Sequence, residues 1–163
     1  MSGIIGAGAV RKSGVIGGFP AGHVAGANFA ATITNASTST LITSEAVAAD
    51  VVDQITIGSG NGVLIYWQGR VFVDRSGTTI GFHLKIKEGT STSGALLSYY
   101  NYTSHATDDE LDSWNLWAYD SSPASTTPDY CITLERLGGD TISVNLASIA
   151  SSDLKCFLIE IEQ

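Results

Sequence analysis

The chain has 163 residues, a net charge of −8 and only 15% charged residues, the shortfall being filled by Ser, Thr, Gly and Ala. One domain fits that length, and it can bury a core without a metal or disulfide staple. Cations are not clustered, which argues against a phosphate-tracking nucleic-acid surface, and no apolar run approaches the roughly 20 residues of a membrane helix.

Residues 1–27, MSGIIGAGAVRKSGVIGGFPAGHVAGA, stand apart. Glycine at this density makes a segment costly to order. The segment nevertheless carries Ile4, Ile5, Val10, Val15, Ile16 and Phe19, which a solvated linker does not need. An extended arm that lays its backbone and apolar side chains on a partner surface is expected. Arg11 and Lys12 form an adjacent positive pair suited to an acidic partner. These cations follow the apolar stretch, the reverse of a secretory signal, so synthesis in a cytoplasm is expected.

From residue 28 to residue 163 the pattern is β. Segment 43–55, TSEAVAADVVDQI, is ambiguous. Val47, Val51 and Ile55 recur at helical spacing, whereas the residue types and surroundings favour a strand, the reading preferred here. GVLIYWQGRVFVD (62–74) is β-branched and aromatic. In TTIGFHLKIKE (78–88), Ile80, Phe82, Leu84 and Ile86 share one face, and Gly81, His83, Lys85 and Lys87 the other. Strands are then expected over 95–102, 113–120, 129–137, 140–146 and 154–161. Turn signals separate them at Ser76-Gly77, Gly89 to Gly94, Ser121-Ser122-Pro123, Gly138-Gly139-Asp140 and Ser151-Ser152-Asp153. Short strands at such spacing predict a sandwich or barrel. LERLGGDTISVN reads as a hairpin turning at Gly138-Gly139.

Candidate chemistry is sparse. GIIGAGAVR (3–11) matches only the first half of a dinucleotide fingerprint and lacks the strand and helix that give it meaning. Asp108, Asp109, Glu110 and Asp112 lack the spacing of a calcium loop and read as a solvated turn. Cys131 and Cys156 have no CxxC spacing, and His23, His83 and His105 are scattered, which disfavours zinc. No GxSxG elbow exists. No catalytic residue, metal or cofactor is expected.

Aromatic residues are more informative. Tyr99, Tyr100 and Tyr102, then Trp114 and Trp117, lie in two neighbouring strands as candidate ligand or interface residues. Alternation puts Trp114 and Trp117 on opposite faces, so one of them leaves the core. In 154–161, Phe157, Ile159 and Ile161 alternate with Cys156 and Leu158, making both faces apolar. Such a strand implies a cover on each side, often a second subunit.

SGVIGGFPAGHV (13–24) ahead of a β-domain, and AYDSSPASTTPDYCITLERLGGDTISVN (118–145) before a final apolar strand, resemble segments of tail-fibre-like structural proteins of tailed bacteriophages, particularly marine ones. The resemblance runs in order from about residue 13 to the C-terminus. It implies a jelly-roll-like antiparallel β-sandwich, assembled as a homotrimer on the virion exterior, with no catalytic residues to carry over. A tail fibre has a long shaft before this lead-in, and here only twelve residues precede it. The expected role is therefore a capsid decoration protein held to another virion protein by residues 1–27. The alternative is a tail-fibre tip that recognises a host surface glycan.

Overall fold

The computed structural model describes residues 24–33, 40–42, 44–75, 80–104, 110–139, 142–145 and 154–163. Among them are ten strands: β1 (Val24–Ala31), β2 (Thr40–Ile42), β3 (Ala46–Val51), β4 (Gly62–Arg75), β5 (Ile80–Glu88), β6 (Leu96–Ser104), β7 (Glu110–Asp120), β8 (Tyr130–Gly139), β9 (Ile142–Asn145) and β10 (Lys155–Ile161). They form two antiparallel sheets, one six-stranded (β1-β10-β4-β9-β2, with β7 on β4) and one four-stranded (β3-β8-β5-β6). The fold is a jelly-roll-like β-sandwich.

Strand β4 organises the larger sheet. Val63, Ile65, Trp67 and Val71 point inward and are buried, while Leu64, Tyr66, Gln68 and Arg70 between them are half-buried on the outer side. The opposing sheet supplies Phe82, Leu84 and Ile86 from β5 and Tyr130, Ile132 and Leu134 from β8. Burial of these side chains is the main favourable term holding the two layers together. Phe82 stacks on Tyr102 with ring centroids 4.7 Å apart. Tyr130 is fully buried and donates to Asp120 Oδ2 at 3.1 Å. Burial and the Asp120 carboxylate both raise the Tyr130 pKa, so this hydroxyl stays a proton donor.

Several expectations meet the structure here. Segment 43–55 contains a strand, β3, with Ala48, Ala49 and Val51 fully buried, and no helix. The turn over Gly89 to Gly94 joins β5 to β6, and Gly89 has a φ of 86°, a conformation glycine adopts without steric cost. The hairpin expected in LERLGGDTISVN does not form. Gly138 and Gly139 continue β8 and pair with Gly81 and Ile80, and β9 lies in the other sheet. β5 pairs along β8 as far as Gly139, so the two glycines extend the strand, and β9 instead pairs with β2 and β4 in the other sheet. The arm boundary also moves, because Val24 to Ala27 belong to β1 and pair with β10.

Cys131 and Cys156 are free and buried, one in each sheet. Burial raises both thiol pKa values, that of Cys131 to about 11. Cys156 acts as a small apolar core residue, whereas Cys131 faces the other way on β8 and its thiol donates to the Ser91 carbonyl at 3.8 Å.

Gly69 is a constrained core position. A Cβ there stands 3.0 Å from both Trp114 Cζ2 and Leu154 Cδ1, and Trp114 is the direct cross-strand partner of Gly69. Gly69→Val is expected to displace Trp114 and cost about 1–3 kcal/mol, as in other overpacked cores. Urea denaturation followed by tryptophan fluorescence measures this.

Candidate functional site

The two outer faces of the sandwich differ sharply in chemistry. On the four-stranded sheet, Lys85 and Lys87 of β5 meet Glu45, just before β3, and Glu135 of β8. Lys85 Nζ bridges Glu135 and Glu45, the latter at 3.5 Å, and Lys87 Nζ lies 2.9 Å from Glu45 Oε1. Thr133 Oγ1 donates to Glu45 Oε1 at 2.7 Å, and His83 Nδ1 lies 3.5 Å from Glu135 Oε2. Lys87 also donates to the Thr92 carbonyl.

Opposed effects set the charge states in this network. Burial pushes the Glu45 carboxyl pKa up, but hydrogen bonds from Lys87 and Thr133 and the charges of both lysines outweigh it, leaving a net lowering. The hydrogen bond from Lys85 lowers Glu135. For Lys85, desolvation lowers the pKa, and the two glutamates more than compensate, so the net shift is upward. A general acid near neutral pH needs a raised carboxyl pKa. Glu45 and Glu135 have the opposite, so the cluster reads as a structural ion lattice.

On the six-stranded sheet the outer face is aromatic and aliphatic. β4 presents Leu64 and Tyr66, β7 presents Trp117 and Tyr119, and β10 presents Phe157, Ile159 and Ile161. Register brings them together: Tyr66 pairs with Trp117 on one side and Phe157 on the other, and Leu64 with Tyr119 and Ile159. Ring centroids of Tyr66 and Trp117 are 4.1 Å apart, and those of Tyr66 and Phe157 5.7 Å. Trp117 is 50% exposed. A shallow apolar concavity of about 310 Å³ lies among Tyr66, Gln68, Trp117, Phe157 and Ile159. No acid or base lies between these side chains; Arg70 and Lys155 lie farther along the strands.

The candidate aromatics of the sequence divide accordingly. Trp117 belongs to this outer face. Trp114 and Tyr102, 7% and 6% exposed, are core residues and present no binding surface, because alternation turns them inward against Gly69 and Phe82. Tyr99 and Tyr100 are exposed on β6, which lies at the edge of the other sheet, with Tyr99 5.5 Å from the His83 ring. They are therefore separate from Trp117. Tyr66 was missed, although alternation in GVLIYWQG places it opposite the buried Ile65 and Trp67. The arm residues Ile4, Ile5, Val10, Arg11, Lys12, Val15, Ile16 and Phe19 lie outside the described residues, as do His23, His105, Asp108 and Asp109. Among the described residues, no group of three or more His, Cys, Asp or Glu side chains is placed to hold a metal. Nor is any helix long and apolar enough to cross a membrane.

No protein-family model and no curated protein matches the sequence. Solved structures similar to the chain include Eiger TNF from S. frugiperda, at 13% identity and a TM-score of 0.42 over 83% of this chain and 92% of that one. The CBM22-1 xylan-binding domain of Paenibacillus barcinonensis Xyn10C follows at 10% identity and 0.33, covering 90% of this chain and 99% of that one. An infectious bursal disease virus Gx strain structure gives 13% and 0.32, covering 85% and 37%. Likenesses this distant assign no function.

The ion lattice gives a pH signature. Glu45 and Glu135 have folded pKa values below the ordinary 4.5, so their stabilisation is complete above 4.5 and lost as pH falls through the lowered values. Lys85 is shifted above 10.5, so its contribution is complete below 10.5 and lost as pH rises past it. Lys85→Met is expected to destabilise the protein at neutral pH and flatten the acid limb, measured by urea denaturation as the pH is lowered from neutral through the ordinary carboxylate range and below.

Proposed function

We propose that the protein is a non-enzymatic virion structural protein of a tailed bacteriophage. In this reading it assembles as a homotrimer through the outer face of the six-stranded sheet and decorates the capsid exterior through its N-terminal arm. The observation that carries the reading is the continuous apolar face of Leu64, Tyr66, Trp117, Tyr119, Phe157, Ile159 and Ile161. Contiguous apolar surface spanning three strands is what subunit interfaces bury. Aromatic anchors such as Trp117 and Tyr66 dominate the energetics of such contacts.

Charge supports the same choice of face. Copies carrying −8 repel one another, and contact is least opposed where acids are absent. The four-stranded sheet presents paired charges that are already satisfied within the chain. The virion location rests on the resemblance of residues 13–24 and 118–145 to phage fibre-like proteins.

Trp117→Glu places a charge at the centre of the face. It is expected to convert the trimer to monomer with unchanged far-UV circular dichroism, read by light scattering after gel filtration. A trimer that persists in this variant, or a wild-type monomer, sinks the assembly reading. Deleting residues 1–23 leaves β1 whole. That variant is expected to trimerise and to fail to bind particles lacking the protein; retained binding removes the arm as anchor.

A further inference from the structure

One end of the sandwich carries a cleft of about 380 Å³ between the loop of residues 57–61 and the loop of residues 121–126. We propose that this cleft is a binding site for a neutral saccharide unit. The inference rests on the fold and the loop chemistry and not on the proposed assembly.

The lining side chains include Ser59, Asn61, Ser122, Ser125 and Gln163, with the Pro123 ring as an apolar patch. No acidic or basic side chain lines it. Serine hydroxyls both donate and accept hydrogen bonds, and the carboxamide oxygens of Asn61 and Gln163 accept while their amide nitrogens are held by Glu160, Tyr119 and Ser121; together these supply the mixed donors and acceptors a polyol needs. The volume falls in the lower part of the range for small-molecule sites, enough for one or two sugar rings.

Both walls are held in place before any ligand arrives. Glu160, only 7% exposed, accepts from the Gly58 amide at 2.7 Å and from Asn61 Nδ2 at 2.6 Å. Asp120 Oδ1 accepts from the Ser122 amide at 3.1 Å, and Glu88 Oε1 from the Ala124 amide at 2.6 Å. The Ile57 amide donates across the cleft to the Thr126 carbonyl at 2.9 Å, and Gln163 Nε2 donates to the Ser121 carbonyl at 2.8 Å. Pre-formed walls spare a ligand the entropy of ordering them. The cleft offers no cation to pair with an anionic ligand, and three carboxylates behind its walls in a chain of net charge −8 disfavour one. Neutral sugar is the ligand class consistent with size, hydrogen-bonding pattern and charge together.

The test is saturation-transfer difference NMR on the full chain with glucose, galactose and N-acetylglucosamine, and with N-acetylneuraminic acid as the anionic comparison. Transfer to at least one neutral sugar is expected, with none to the acid. Ser122→Trp, which fills the cleft from an exposed turn position, is expected to abolish it, as is Ser59→Trp from the facing wall. Trp117→Glu is expected to retain it, which separates this site from the assembly face. Absence of transfer from all three neutral sugars overturns the proposal, as does transfer that survives both tryptophan variants. Stronger transfer to the anionic sugar overturns it too.

Discussion

Strand β4 is hydrogen-bonded along both edges, and the rest of the molecule is placed by that fact. One edge is occupied by β7 from Val63 to Val73. The other is divided, with β10 pairing to residues 62–68 and β9 to residues 72–75. Three ladders therefore share one backbone, and its inward side chains, Trp67 above all, meet the opposing sheet. Backbone pairing satisfies polar groups that would otherwise be costly to bury. Side-chain alternation along the same strand then decides what the outside of the sheet displays.

That outside is where the two sheets part company. The four-stranded sheet carries on its outer surface lysines and glutamates that pair with one another within the chain. The six-stranded sheet leaves Tyr66, Trp117 and Phe157 in contact with each other and open to solvent. Apolar area of this kind gains free energy when covered. The asymmetry gives the molecule one apolar outer side, while the loops at the end of the sandwich form a third, polar region braced by acids.

Glu160 and Asp120 are buried at the ends of β10 and β7, positions where an uncompensated carboxylate is costly. Each accepts from a loop amide, so β7 holds the loop that follows it and β10 holds a loop about 100 residues earlier in the chain. A chain with few charged residues thus uses several of its acids as internal braces.

The alternation within single strands was legible in the sequence: the inward row of β5, the opposed faces of Trp114 and Trp117, the doubly apolar β10 and the all-β class. These depend only on a two-residue period and on side-chain type, both local properties. The sequence could not show which strands are neighbours. Gly138-Gly139 looked like a hairpin turn, yet the two glycines extend β8 and pair with Gly81 and Ile80, about 60 residues earlier in the chain. The outer aromatic face likewise gathers β4, β7 and β10, and the glutamate braces join residues about 100 positions apart. Pairing of distant strands is settled by competition for edges and core space across the whole sandwich. Only the tertiary structure could therefore separate Trp117 from Tyr99 and set it beside Tyr66.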